Sequence, residues 1–67
     1  MERNFQLDWQ SFVNEAIKRR KQQRLTQKQL AILVGISGPT VNRFEQGKTN
    51  IALESALKIL RSLGLTG

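Results

Sequence analysis

The chain has no cysteine, no histidine and no tyrosine, and among its 67 residues there are only five carboxylates, one proline and one tryptophan. Without thiols there are no disulfides and no thiolate metal sites, which fits a reducing compartment. Without histidine, scattered carboxylates assemble neither a nucleophile-base pair nor a transition-metal site, so no enzyme, metal or cofactor is expected. No stretch approaches the roughly 20 apolar residues of a membrane span. Met1-Glu2-Arg3-Asn4 lacks the apolar run of a signal peptide, and a cytoplasmic protein is expected.

What is present suits a small helical bundle. A chain of this size is read as one domain, 1–67, able to bury only about 60 % of its unfolded surface. Its hydrophobic residues, 39 % of the total, recur at spacings of three and four, with no strand-like alternation. The net charge is +6, which points to a polyanionic partner. Six of the eleven basic residues, Lys18, Arg19, Arg20, Lys21, Arg24 and Lys28, fall in one short segment. Taken alone, that run reads equally well as a solvated face.

Period and punctuation predict four helices. The first starts after Asp8 as N-cap, with Trp9, Phe12, Val13, Ala16 and Ile17 on one face. That stripe continues to Arg20, whose charge on an apolar face demands an acidic partner. Thr26-Gln27-Lys28-Gln29 has the form of a capping box and opens a second helix with Leu30, Ala31, Leu33 and Val34 on its apolar side, closed by Gly35. A third begins at Ser37 with Pro39 in its first turn and ends at Gly47. Its wheel puts Val41, Phe44 and Glu45 inward and Pro39, Asn42, Arg43 and Gln46 outward. A linker over 48–51 leads to a fourth helix with Leu53, Ala56, Leu57, Leu60 and Leu63 on one stripe and Ile59 at its flank. Gly64 and Leu65 suit a Schellman ending. Residues 1–7 and 66–67 show no pattern and read as tails.

Two short helices joined by a tight turn containing glycine form a helix-turn-helix, whose second helix fits the DNA major groove. Any small bundle contains a helix, a turn and a helix, so period and capping alone leave the matter open. Four stretches are more specific: Leu25 to Ala31 (LTQKQLA), Val34 to Ser37 (VGIS), Val41 to Lys48 (VNRFEQGK), and Leu53 to Gly64. Together they resemble the Cro and lambda-repressor (XRE) family over roughly residues 12 to 65. The resemblance implies an all-α, four-to-five-helix lambda-repressor-like bundle and a sequence-specific, nucleoid-associated DNA-binding regulator, expected to be a repressor.

Carried over residue by residue, the family's phosphate contacts fall on Gln27, with Thr26 and Lys28 beside it, and on Lys48, Thr49 and Asn50 after the third helix. Its base-reading positions fall on Gly38, Pro39, Thr40 and Arg43, with Asn42 and Gln46 as helpers. Independently of the family, Arg43 is the strongest reader, because a guanidinium bonds guanine O6 and N7 together, worth about 1–3 kcal/mol of discrimination. The family's buried Arg-Glu pair maps onto Arg20 and Glu45 and is assigned a structural role. Arg19, Lys21, Arg24 and Lys28 are expected to supply a positive field near the DNA backbone.

The departures are informative. Gly38-Pro39 stands where long polar side chains often begin the recognition helix, so readout there is limited to backbone approach or contact with a thymine methyl. Ala52 stands where a Ser-like cap usually opens the fourth helix. Family members often continue into a fifth helix or a strand that completes a dimer; a two-fold homodimer on a palindromic operator is still expected, with half-sites about one helical turn apart. Gly47-Lys48-Thr49 mimics the end of a phosphate-binding loop, but the first glycine is missing, position 42 being Asn, and no strand precedes it. Two other functions share the pattern. The stretch Ala56 to Leu65 is similar to HipB-type antitoxins, which bind DNA and also hold a toxin protein. A protein-interaction module that kept the fold and lost DNA reading is the other.

Overall fold

The computed structural model describes residues 8–66. They form α1 (Trp9–Gln22), α2 (Gln27–Val34), α3 (Gly38–Glu45) and α4 (Leu53–Ser62), with no strand among the described residues. Of the expected tails, residues 1–7 and Gly67 lie outside the described residues, and Thr66 is half-buried.

Each helix begins where its first free N–H groups find an acceptor, α4 excepted. The Asp8 carboxylate accepts from the Gln10 and Ser11 N–H groups and from the Ser11 hydroxyl. The Ser11 hydroxyl, followed by the Ser11 N–H, holds the Asp8 carboxyl below its ordinary value of 3.8. At α2 the capping box is closed in both directions, Gln29 N–H to Thr26 Oγ1 at 3.0 Å and Thr26 N–H to Gln29 Oε1 at 2.8 Å. At α3 the Ser37 hydroxyl accepts the Thr40 N–H at 3.2 Å, and Pro39 sits in the first turn, where a missing N–H costs nothing. Ala52 gives α4 no side-chain cap.

The helix ends are closed by chain reversals. Gly47, at φ 82°, also lies so close to α1 that a Cβ there would sit 2.7 Å from Gln10 Oε1, so no other residue fits without displacing that side chain. After α4, Leu65 N–H reaches Leu60 C=O at 2.8 Å and Gly64 N–H reaches Arg61 C=O at 3.1 Å, the bonds of the expected Schellman ending. The end of α1 has the same bonds without a glycine. Leu25 N–H reaches Arg20 C=O at 3.1 Å and Arg24 N–H reaches Lys21 C=O at 3.0 Å, with Arg24 itself held at φ 60°.

Phe44 occupies the centre, fully buried with Leu30, Ile59, Val13 and Val41. Trp9 meets it edge to face, with ring centroids 5.5 Å apart and planes at 87°. Helix α3 packs on α1, α2 and α4, so its orientation is held from three sides. Three residues depart from the wheel. Leu33 and Leu53, expected inward, are 65 % and 73 % exposed, whereas Ile59, expected at the flank, is fully buried. A stripe of residues three and four apart defines a face only to within a side chain's width. In α4 the neighbours select Ala56, Ile59, Leu60 and Leu63, and Leu53 falls one turn short of them.

Two outcomes follow. Arg24→Gly removes a left-handed non-glycine residue, and thermal melts should show a gain of about 0.5–1 kcal/mol, the steric relief exceeding the added chain entropy. A folded-state pKa below the unfolded one means that the Asp8 cap stabilises fully above the ordinary carboxylate range and is lost as pH falls through the lowered value. Asp8→Asn, which caps without titrating, should therefore flatten the acid limb of a stability-versus-pH curve below about pH 4.

Candidate nucleic-acid interface

Helices α2 and α3 are joined by a three-residue turn, and Gly35 (φ 83°) supplies the left-handed step that lets the chain reverse. Burying Val41 and Phe44 leaves the opposite face of α3 in solvent, with Pro39, Asn42, Arg43 and Gln46 all exposed. Gly38 and Thr40 are half-buried, and the Thr40 hydroxyl lies 2.6 Å from Ser37 Oγ, tied to the helix cap. Thr26 and Lys28 are exposed at the start of α2, and Lys48, Thr49 and Asn50 are exposed directly after α3. Among the described residues no carboxylate pairs with Arg43.

The orientation of this face is set from behind. Arg20 Nε donates to Glu45 Oε2 at 2.6 Å and Arg20 Nη2 to Glu45 Oε1 at 3.0 Å, while Arg20 Nη1 donates to the Leu25 carbonyl at 2.7 Å. The two side chains are only 11 % and 7 % exposed. Both charges are thereby paired and most of their hydrogen-bonding groups satisfied, the condition under which burial of an ion pair is tolerable. The clamp joins the end of α1, the turn before α2 and the end of α3. Gln27 extends it: its Nε2 donates to Glu45 Oε1 at 2.9 Å and its Oε1 accepts from Asn42 Nδ2 at 3.1 Å. Gln46 Nε2 in turn donates to Asn42 Oδ1 at 2.8 Å. The Asn42–Gln46 contact was legible as an i, i+4 pair on an outward face. Nothing in the spacing signalled the Gln27–Glu45 or Gln27–Asn42 contacts, which cross between helices.

The basic run divides. Lys18, Lys21, Arg24 and Lys28 are exposed, while Arg20 is in the clamp. Arg19, expected to contribute to the field near DNA, is instead turned toward α4. It bonds Glu15 at 3.2 Å and the Leu63 and Gly64 carbonyls at 3.0 and 3.1 Å. A cation there satisfies carbonyls that a helix C-terminus leaves without partners, and it opposes the negative end of the α4 dipole. Among the described residues no three His, Cys, Asp or Glu come together, and no helix is long and apolar enough to cross a membrane. The apolar cleft between Trp9, Phe12, Leu57, Leu60 and Thr66 holds no titratable group.

A family model described as helix-turn-helix matches residues 17–67, which takes in the clamp, both helices of the motif and α4. The chain belongs to the helix-turn-helix family. Within it, the unit is α2, the turn at Gly35–Ser37 and α3. An uncharacterized HTH-type transcriptional regulator of Haemophilus influenzae is 43 % identical over 56 residues, covering 84 % of this chain and 57 % of that protein. The chain thus spans little more than half the length of that relative.

The clamp makes a stability prediction. Glu45→Ala strands the Arg20 guanidinium and should cost about 3–5 kcal/mol, enough to lower the melting temperature sharply in a domain this small. The double variant Arg20→Met, Glu45→Leu should recover much of that loss in the same calorimetric scan. A melting curve unchanged by Glu45→Ala would remove the structural role.

Proposed function

We propose that the protein is a sequence-specific DNA-binding transcriptional regulator, a repressor that inserts α3 into the major groove of a palindromic operator as a homodimer. The observation that carries this reading is the division of α3 into two faces. Val41, Phe44 and Glu45 are locked into the protein, and Pro39, Asn42, Arg43 and Gln46 are presented to solvent around a net charge of +6. A major groove about 12 Å wide admits one such helix. Arg43 reads guanine through two parallel hydrogen bonds, and Pro39 lies against a thymine methyl. Gly38, which has no side chain to interpose, allows close approach of the backbone. Lys28 and the Lys48-Thr49-Asn50 segment hold phosphates. Thr26 caps the start of α2 and leaves the Gln27 and Lys28 N–H groups without a partner, a site suited to a phosphate oxygen.

Two-fold pairing doubles the contacts that a single short helix can make and gives the operator its symmetry. Such a protein acts on the chromosome, in the cytoplasm. The antitoxin reading shares every one of these DNA contacts and differs only in a toxin partner, which a toxin gene beside this one would reveal.

Binding to a selected operator should weaken steeply with salt, with a log-log slope near −0.9 per phosphate neutralised, about −2 per protomer from Lys28 and Lys48 and about −4 for the dimer. Arg43→Ala should relax preference at one base pair per half-site, whereas Lys28→Ala should weaken all duplexes about equally and reduce the slope by about one. Absence of duplex binding, or a flat salt response, overturns the reading, and equal uniform losses in both variants overturn the assignment of Arg43.

A further inference from the structure

An amide side chain can bond either way round, and a lone pair of amides carries no direction. The row running outward from the clamp does have one, because it begins at a carboxylate. Glu45, held on the Arg20 guanidinium, offers acceptors only. Gln27 must therefore turn its NH2 group inward to Glu45 Oε1, which leaves its carbonyl oxygen facing Asn42. Asn42 must meet that oxygen with its own NH2 group, leaving Oδ1 for Gln46. Gln46 meets Oδ1 with Nε2. Turning Gln27 or Asn42 over sets oxygen against oxygen on one side and NH2 against NH2 on the other, and turning Gln46 over sets its oxygen against Asn42 Oδ1. Turning all three sets the Gln27 oxygen against the carboxylate.

We infer that Glu45 fixes the hydrogen-bonding polarity of Gln46, so that Gln46 faces the groove with a free carbonyl oxygen and one free N–H and selects adenine over guanine. The inference rests on the DNA-binding reading above. An acceptor beside a donor matches adenine, which shows N6–H and N7 in the major groove. Guanine shows two acceptors there, O6 and N7, and would require the reversed amide. Arg43, with donors only, supplies the complementary preference for guanine about one helical turn away on the same face. Asn42 is on this account a positioning residue. Both ends of its amide are engaged by Gln27 and Gln46, and it acts by holding Gln46 rather than by reading a base itself.

The test is selection from random duplexes with the full chain, followed by affinities for the selected site with one adenine replaced by guanine or by purine, which lacks the 6-amino group. The wild type should show one adenine per half-site whose replacement by either base costs about tenfold, a loss of about 1.4 kcal/mol. In Gln46→Ala and in Asn42→Ala the same replacement should cost less than about twofold, with melting temperatures unchanged because both residues are exposed. Asn42→Asp loses the donor to Gln27 but keeps an acceptor for Gln46 Nε2, so it should retain the adenine preference while its negative charge weakens every duplex. Retention of the preference in Gln46→Ala overturns the inference while leaving DNA binding intact. So does a uniform loss there, which marks a phosphate contact, or loss of the preference in Asn42→Asp. Failure of the wild type to bind any duplex overturns the DNA-binding reading and this inference together.

Discussion

Taking the Glu45 carboxylate and the Arg20 guanidinium out of water costs several kcal/mol per ion before any contact is made. The rest of the domain is arranged so that this cost is met by geometry. The guanidinium spends its fork on two carboxylate oxygens and a third N–H on the Leu25 carbonyl, and the carboxylate gains a further donor from Gln27. A hydrophobic pair would hold α1 and α3 together equally well, but it would tolerate sliding. Directional bonds at 2.6 to 3.0 Å do not. The exposed face of α3 therefore has one position relative to the start of α2.

The same carboxylate links the buried clamp to the surface of α3. Arg20 donates to both of its oxygens, and Gln27 donates to one of them as well, its other end lying at the surface against Asn42. A neutral amide passes on direction without carrying charge. Basic residues are sorted by a similar economy: Arg19 and Arg20 are spent on helix ends and the clamp, while Lys18, Lys21, Arg24, Lys28, Arg43 and Lys48 remain exposed. Long-range attraction to a polyanion requires only that charge be exposed; it does not require these residues to be placed accurately.

Helix boundaries were legible because they depend on contacts within a few residues. The Asp8 cap, the Thr26–Gln29 box, Ser37 with Pro39, and the closures at Gly35, Gly47 and Gly64 all appear where the residue pattern placed them. The end of α1 was the exception, since Arg24 takes a conformation that its side chain disfavours and that only the surrounding bonds maintain. Leu33, Leu53 and Ile59 were misplaced for a related reason. Apolar spacing states that a helix has an inner face, while the neighbours decide which of two adjacent residues occupies its centre.

By itself, then, the chain's order of residues determined the four helices, the turn between α2 and α3, and the outward set Pro39, Asn42, Arg43 and Gln46, because each follows from bonds or periodicity spanning about one turn. Tertiary structure alone decided what joins them. The Gln27–Glu45 and Gln27–Asn42 bonds link residues 18 and 15 positions apart, and Arg19 bonds carbonyls 44 and 45 positions away. Such partners are chosen by how helices pack around Phe44, and a local pattern holds no record of that packing. An outward amide could be read from the sequence; the direction in which it points its oxygen required the folded chain.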